Sequence, residues 1–295
     1  VTDAVARIHA AFADAGVTGR LHALDIDSGE ELDAGADQPV CTASVHKLCL
    51  LVALHERAAR GALDLAEQVE TVPGGRTAGP TGVAAMLDAA RMSLRDLAYL
   101  MMAVSDNAAA DLLLRRVGLD AVNATTGRLG LTRTRAVHSF GEMLATMRED
   151  AGPDGARALA DPRVVSRLRA LDPDRTNRST PRDMTRLLRA VWRDEACTPE
   201  HGAAMRRIMG LQVWPHRLAS GFPFDDVHVA GKTGSLPTLR NEVGVVEYPD
   251  GGRYAVAVFT RTAHTAATLP AADAVIGTAA RIAVDALRAK AFRSR

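Results

Sequence analysis

Cysteine is scarce in this chain of 295 residues: Cys41, Cys49 and Cys197 are the only three. An odd number cannot complete a disulfide framework, and no CxxC pair is present. Cys41 and Cys49 are read as small buried hydrophobes. Aromatic residues are sparse at 4%, which argues against a base-stacking surface. The formal net charge is only +1, so no basic field exists to attract nucleic acid or an anionic membrane. No apolar run reaches the ~18 residues of a membrane span, and none is expected. His46, His55, His138, His216 and His228 lack metal-ligand spacing, and no glycine-rich phosphate loop appears. Neither metal nor cofactor is expected.

What is present suits a globular protein. The apolar fraction is 47%, ample for a core, and the length suggests one large domain or two interleaved ones. Val5, Ile8 and Phe12 recur at helical spacing over residues 2–15. Alternating residues from Gly19 to Asp27, the turn Asp27-Ser28-Gly29-Glu30 and a return from Glu31 predict a hairpin. Residues 47–218 read as mostly helical. Ser93, with Asp96 three residues on, caps one helix, and a second runs from Ala108 to Val117. The stretch 150–163 is rich in Asp, Gly and Pro and reads as a mobile or irregular loop. Thr180-Pro181 opens a further helix. The period changes near Val227: three strands follow, then a closing helix over 270–288. Strands at both ends of the chain with helices between them predict one antiparallel sheet, covered by the terminal helices, beside a helical region.

Three short motifs stand out. Ser44-Val-His-Lys47 is a Ser-x-x-Lys that leads into the apolar run Leu48–Leu54. On a helix those two side chains lie one turn apart on one face, and a serine beside an amine able to lose its proton is an activated nucleophile. Taken alone, the segment also reads as a helix start with Thr42 or Ser44 as N-cap and Lys47 solvated. Ser105-Asp106-Asn107 lies between two helices. Lys232-Thr233-Gly234, followed by Ser235, sits on the first C-terminal strand.

In this order and context the set is the signature of class A β-lactamases and penicillin-binding proteins. The sequence resembles the class A β-lactamase-related serine hydrolases over nearly its whole length. Thr176-Asn-Arg-Ser-Thr-Pro-Arg-Asp-Met and Arg240-Asn-Glu-Val-Gly-Val-Val extend the likeness. The resemblance implies an α/β (α+β) fold: an antiparallel five-stranded sheet flanked by helices, with an all-helical domain inserted. The sheet domain would be 1–46 with 219–295, the helical domain 47–218, and the active site would lie between them. It implies that Ser44 becomes an acyl-ester. Lys47, poised by the nearby charge of Lys232, would help remove the Ser44 proton, and Ser105 would relay a proton to the departing nitrogen. Asn107 would bind the acyl side-chain amide, and Lys232, Thr233, Gly234 and Ser235 the substrate carboxylate. Arg240 would add charge there, although its spacing from Lys232 is one residue short. The Ser44 and Ser235 backbone N–H groups would form the oxyanion hole.

The chain departs from the family at the omega loop. No Glu-x-x-Leu-Asn is present to supply the carboxylate that activates the deacylating water. Glu142 stands at nearly the right distance from Ser105 and is the candidate, with Glu149 and Asp150 behind it. The segment 143–176 is long, and residues 161–171 are expected to form a small helix over the site. The expected activity is β-lactamase-type hydrolysis through an acyl-enzyme, with slow turnover. A D,D-peptidase or esterase of the same fold, or a penicillin-binding module with little turnover, are the alternatives. The expected partner is a small molecule carrying a carboxylate, a β-lactam or an acyl-D-amino-acid analogue, and a monomer is expected. The chain opens on Val1, so location stays open: secreted or periplasmic by resemblance if a leader has been removed, otherwise cytoplasmic.

Overall fold

The computed structural model describes residues 2–266 and 268–293. Helix α1 (Thr2–Asp14) leads into β1 (Val17–Asp25), and a hairpin returns the chain as β2 (Glu31–Ala34). Strand β3 (Val40–Cys41) and a 3-10 turn (Ala43–His46) lead to α2 (Lys47–Ala59). Strands β4 (Gln68–Thr71) and β5 (Ala90–Ser93) precede α3 (Leu94–Ala103), α4 (Asn107–Val117), α5 (Leu119–Arg128) and α6 (Phe140–Ala151). After α7 (Pro162–Val165) come β6 (Arg178–Ser179), α8 (Pro181–Trp192) and α9 (Pro199–Met209). Strands β7 (His228–Leu236), β8 (Leu239–Glu247) and β9 (Arg253–Thr262) and helix α10 (Pro270–Arg293) complete the chain.

The five long strands form one sheet in the order β2-β1-β9-β8-β7, and every pairing is antiparallel. Both faces are covered. Ile8 and Phe12 of α1 and Ile276 and Val284 of α10 pack with Val256 and Val258 on one side. Leu48 and Leu51 of α2 and Leu187 and Val191 of α8 pack with Val243 and Ala257 on the other. Burial on both faces is why β9 carries the unbroken apolar run Tyr254–Phe259 rather than an alternating one. Strand β7 is left at an outer edge.

Two ribbons interrupt the stretch expected to be mostly helical: β4 pairs with β5, and β6 pairs back to β3. Strands of two to four residues carry no period to read. The residue 150–163 segment is irregular, as its composition implied, forming 3-10 turns over Gly152–Ala160 broken at Gly155. The helix expected near 161–171 exists as α7 followed by a 3-10 turn at Arg169–Leu171. It packs away from the Ser44 cleft: Arg169 pairs with Asp150 and Glu149, and Leu171 lines a separate apolar cavity with Val40 and Phe259. No helix among the described residues is long and apolar enough to cross a membrane.

Candidate active site

Ser44 lies in the 3-10 turn, and Lys47 is the first residue of α2. With three residues per turn, side chains three apart eclipse one another, so this turn stacks Ser44 over Lys47 more directly than an α-helix would. No side chain caps the turn; Thr42 Oγ1 donates instead to the Asn177 carbonyl at 2.8 Å. Ala43, just before Ser44, is held at φ +50° although it is not a glycine, a strained backbone of the kind that clusters at working sites. Among the described residues the Ser44 hydroxyl makes no hydrogen bond, and it lines a cleft of about 660 Å³.

Ser105 and Asn107 reach that cleft from the turn between α3 and α4. Ser105 is a second non-glycine residue at positive φ, +59°. That twist presents its carbonyl to Lys47 Nζ at 2.6 Å, while its hydroxyl accepts from Lys232 Nζ at 3.0 Å and from Lys47 Nζ at 3.3 Å. Lys47 Nζ also donates to Asn107 Oδ1 at 2.7 Å. With both lone pairs of Ser105 Oγ engaged, its own proton is free to point into the cleft. Asp106 holds the turn. Its Oδ1 accepts from the Ala108 and Ala109 N–H groups at the start of α4, and its Oδ2 accepts from Val83 N–H.

Strand β7 brings the third motif. Its backbone comes so near the Ser44 turn that a Cβ on Gly234 would stand 2.7 Å from the Thr42 carbonyl oxygen and 3.0 Å from the Val45 nitrogen. Glycine is required there by proximity. Gly234→Ala is expected to push strand and turn apart, costing about 1–3 kcal/mol of stability and slowing any reaction at Ser44. A thermal melt, together with a rate measured below the melt, checks both effects. Thr233 N–H leaves the outer edge of the sheet to reach Gln212 Oε1 at 2.7 Å. Backbone N–H directions alternate along a strand, so Ser235 N–H points off the same edge, unused by the sheet, on the side where Ser235 and Ser44 line one cleft.

Sequence reasoning missed the cation that backs Ser235. Arg217, 5% exposed, donates from Nη2 to Ser235 Oγ at 2.7 Å and from Nη1 to the Gly234 and Asn241 carbonyls. Its Nε pairs with Asp273 at 2.7 Å, and Arg240 Nε approaches the same carboxylate at 3.5 Å. Among the described residues these two guanidinium groups share the Asp273 carboxylate where Arg217, Ser235, Thr233 and Arg240 line the cleft. No local motif marks Arg217. It arrives because the 3-10 turn Leu218–Gly221 seats on α10 through two glycines, a Cβ on Gly221 standing 2.2 Å from the Gly277 carbonyl oxygen.

Lys47 and Lys232 are both fully buried. Burial lowers the Lys47 ammonium to about 7, against the raising effect of Asp106 and Asp111. The sequence-based expectation gave that role to the charge of Lys232; the governing cause is burial of Lys47 itself. Lys232 is lowered well below the usual lysine range, first by burial and then by Lys47. Among the described residues no carboxylate pairs with either ammonium. The Phe140 ring packs on Lys47 instead, its centroid 4.6 Å from Nζ. Asp111 holds Phe140 there by accepting from the Phe140 and Gly141 N–H groups at 2.9 and 2.8 Å.

The structure brings Ser44, Ser105, Asn107, Thr233, Ser235 and Arg240 around one cleft, with Lys47 and Lys232 beneath it through Ser105. Glu142 is elsewhere. It is the third residue of α6, its Oε2 accepts from Ser139 N–H at 2.7 Å, and its own N–H donates to Ser139 Oγ at 3.1 Å. These bonds hold its carboxyl below the usual range. Ser139-Phe-Gly-Glu142 is a capping box, a signal the sequence carried. Among the described residues, none from 142 to 176 lines the cleft.

A model of the beta-lactamase enzyme family (Beta-lactamase2) matches residues 3–287. The beta-lactamase regulatory protein BlaB of Streptomyces cacaoi is 36% identical over 294 aligned residues, covering 93% of this chain and 94% of that protein. Among solved structures, the beta-lactamase from Sphaerobacter thermophilus DSM 20745 is similar at 27% identity and TM-score 0.79, covering 97% of this chain and 98% of that one. PBP-A shares the fold at 22% identity and TM-score 0.79, covering 98% and 97% of the two chains; a point mutant of PBP-A is known as an acyl-enzyme complex with penicillin G. With a family match over nearly its full length, this chain belongs to the beta-lactamase enzyme family.

Proposed function

We propose that this protein is a serine hydrolase that acylates itself on Ser44 with carboxylate-bearing substrates, β-lactams foremost, and releases the product slowly. The observation that carries the reading is the hydrogen-bonded chain Lys47–Ser105–Lys232 beneath the cleft that Ser44 lines. Neutral Lys47 takes the Ser44 proton as Oγ attacks the amide carbon; the C–O bond forms and the C–N bond breaks. The proton passes through Ser105 Oγ to the departing nitrogen. Negative charge on the carbonyl oxygen is met by the Ser44 and Ser235 N–H groups. Asn107 has a second amide hydrogen beyond the one it gives to the Ala78 carbonyl, and this suits an acyl side-chain amide. Lys232, Thr233, Ser235, Arg217 and Arg240 supply the field for the substrate carboxylate.

Slow release follows from what packs against Lys47. Hydrolysis of the ester needs a group that activates water. Phe140 occupies the flank of the amine, and Glu142 is committed to the helix cap. A second reading, a regulator that holds its β-lactam without turnover, is favoured by the 36% identical relative being a β-lactamase regulatory protein. Incubation with a chromogenic cephalosporin and a penicillin, followed by intact mass measurement, tests the acylation reading. A stoichiometric adduct in wild type and none in Ser44→Ala is expected. No adduct and no hydrolysis in either protein would overturn it. Activity on D,D-peptides or esters, with β-lactams only inhibiting, would keep the nucleophile and change the substrate.

A further inference from the structure

Behind the Lys-Thr-Gly strand lies a carboxylate that no step above uses. Glu242, on β8 directly opposite Thr233, is 1% exposed. Its Oε1 accepts from Gln212 Nε2 at 2.7 Å, and its Oε2 accepts from Leu218 N–H at 2.7 Å. Gln212 Oε1 in turn accepts from Thr233 N–H at 2.7 Å. The fit is close: a Cβ on Gly231 would stand 2.9 Å from Glu242 Oε1. These three bonds bracket the irregular stretch 212–218 at both ends. That stretch carries Trp214, His216 and Arg217, all of which line the cleft. An irregular segment with no ladder of its own takes its position from such side-chain bonds.

From this geometry we propose that Gln212 and Glu242 are positioning residues for substrate selection. They fasten the 212–218 segment to the Lys-Thr-Gly strand, so that recognition of the substrate carboxylate by Arg217 depends on a carboxylate that never touches substrate. The inference rests on the acylation reading for its kinetic test and stands apart from it in a spectroscopic one. Glu242→Gln keeps the shape but turns one acceptor into a donor, which must face either Gln212 Nε2 or Leu218 N–H, both donors. The double exchange Gln212→Glu/Glu242→Gln rebuilds every bond. The new carboxylate at 212 accepts from Thr233 N–H and from the new amide at 242, whose oxygen accepts from Leu218 N–H.

Acylation by a penicillin should fall about tenfold or more in Glu242→Gln, through weaker binding, while acylation by an uncharged ester changes less than about twofold. The double exchange should return the penicillin rate to within about threefold of wild type. Trp214 is one of two tryptophans in the chain, and the other, Trp192, is buried. Acrylamide quenching in a Trp192→Phe background therefore reports the segment alone. It should increase in Glu242→Gln and return in the double exchange, whether or not wild type acylates. If Glu242→Gln does not fold, Gln212→Met, at a half-exposed position, carries the same measurements. Equal loss with charged and uncharged substrates, no restoration in the double exchange, or unchanged quenching would each overturn the inference. Absence of acylation in wild type with the quenching result intact would sink the acylation reading and leave the fastening role standing.

Discussion

Lys47→Met is expected to slow acylation of Ser44 by about 10²–10⁴-fold, the range for removing a positioned general base. The variant keeps side-chain volume, so a melting curve close to that of wild type separates lost chemistry from lost fold. The pH dependence carries the same test. Burial holds the Lys47 amine at about 7, and only the neutral amine can accept the Ser44 proton. Wild-type acylation should therefore rise with pH, through an apparent pKa near that value, and level off above it. Lys47→Arg should fail to rescue, because a guanidinium does not lose its proton in this range. A profile flat between roughly pH 5 and 9 in wild type would contradict the assignment.

The second large effect is expected at Arg217. Arg217→Ala removes the close partner of Asp273 and leaves that carboxylate with Arg240 Nε at 3.5 Å. It also unties Ser235 Oγ and two strand carbonyls. Breaking a buried pair this way is expected to cost about 3 kcal/mol of stability. Below the melt, acylation by a carboxylate-bearing β-lactam should fall about 10²-fold, most of it in binding. Arg217→Lys should recover little, because one ammonium cannot reproduce a fork spread over Asp273, Ser235 and two carbonyls. Penicillin acylation within about twofold of wild type in Arg217→Ala would remove Arg217 from the carboxylate site.

What could be read from the sequence was whatever is local. Ser44 and Lys47, Ser105 and Asn107, and Lys232 through Ser235 are short motifs, each inside one element or turn, and the hairpin at Asp27–Glu30 and the Ser93 cap follow the same logic. The missed features depend on chain segments far apart. Arg217 reaches Asp273, 56 residues away, only because Gly221 lets one segment touch α10. Gln212 and Glu242 meet across 30 residues, and nothing in either neighbourhood announces the pairing. The 3-10 turn that carries Ser44 opens on Ala43 at positive φ, a conformation propensity argues against. Glu142 is different: its capping box with Ser139 is legible in the sequence, and those bonds engage the carboxylate at the start of α6, outside the residues that line the cleft.

The slow release of an ester from Ser44 is tested most directly by a time course of intact mass after a single exposure to penicillin and removal of the excess. One adduct per chain is expected, absent in Ser44→Ala, and it should outlast its formation by a wide margin because, among the described residues, no carboxylate pairs with Lys47. An adduct that never accumulates while the penicillin is consumed would contradict the slow release, and an adduct mapped to any residue other than Ser44 would contradict the site itself.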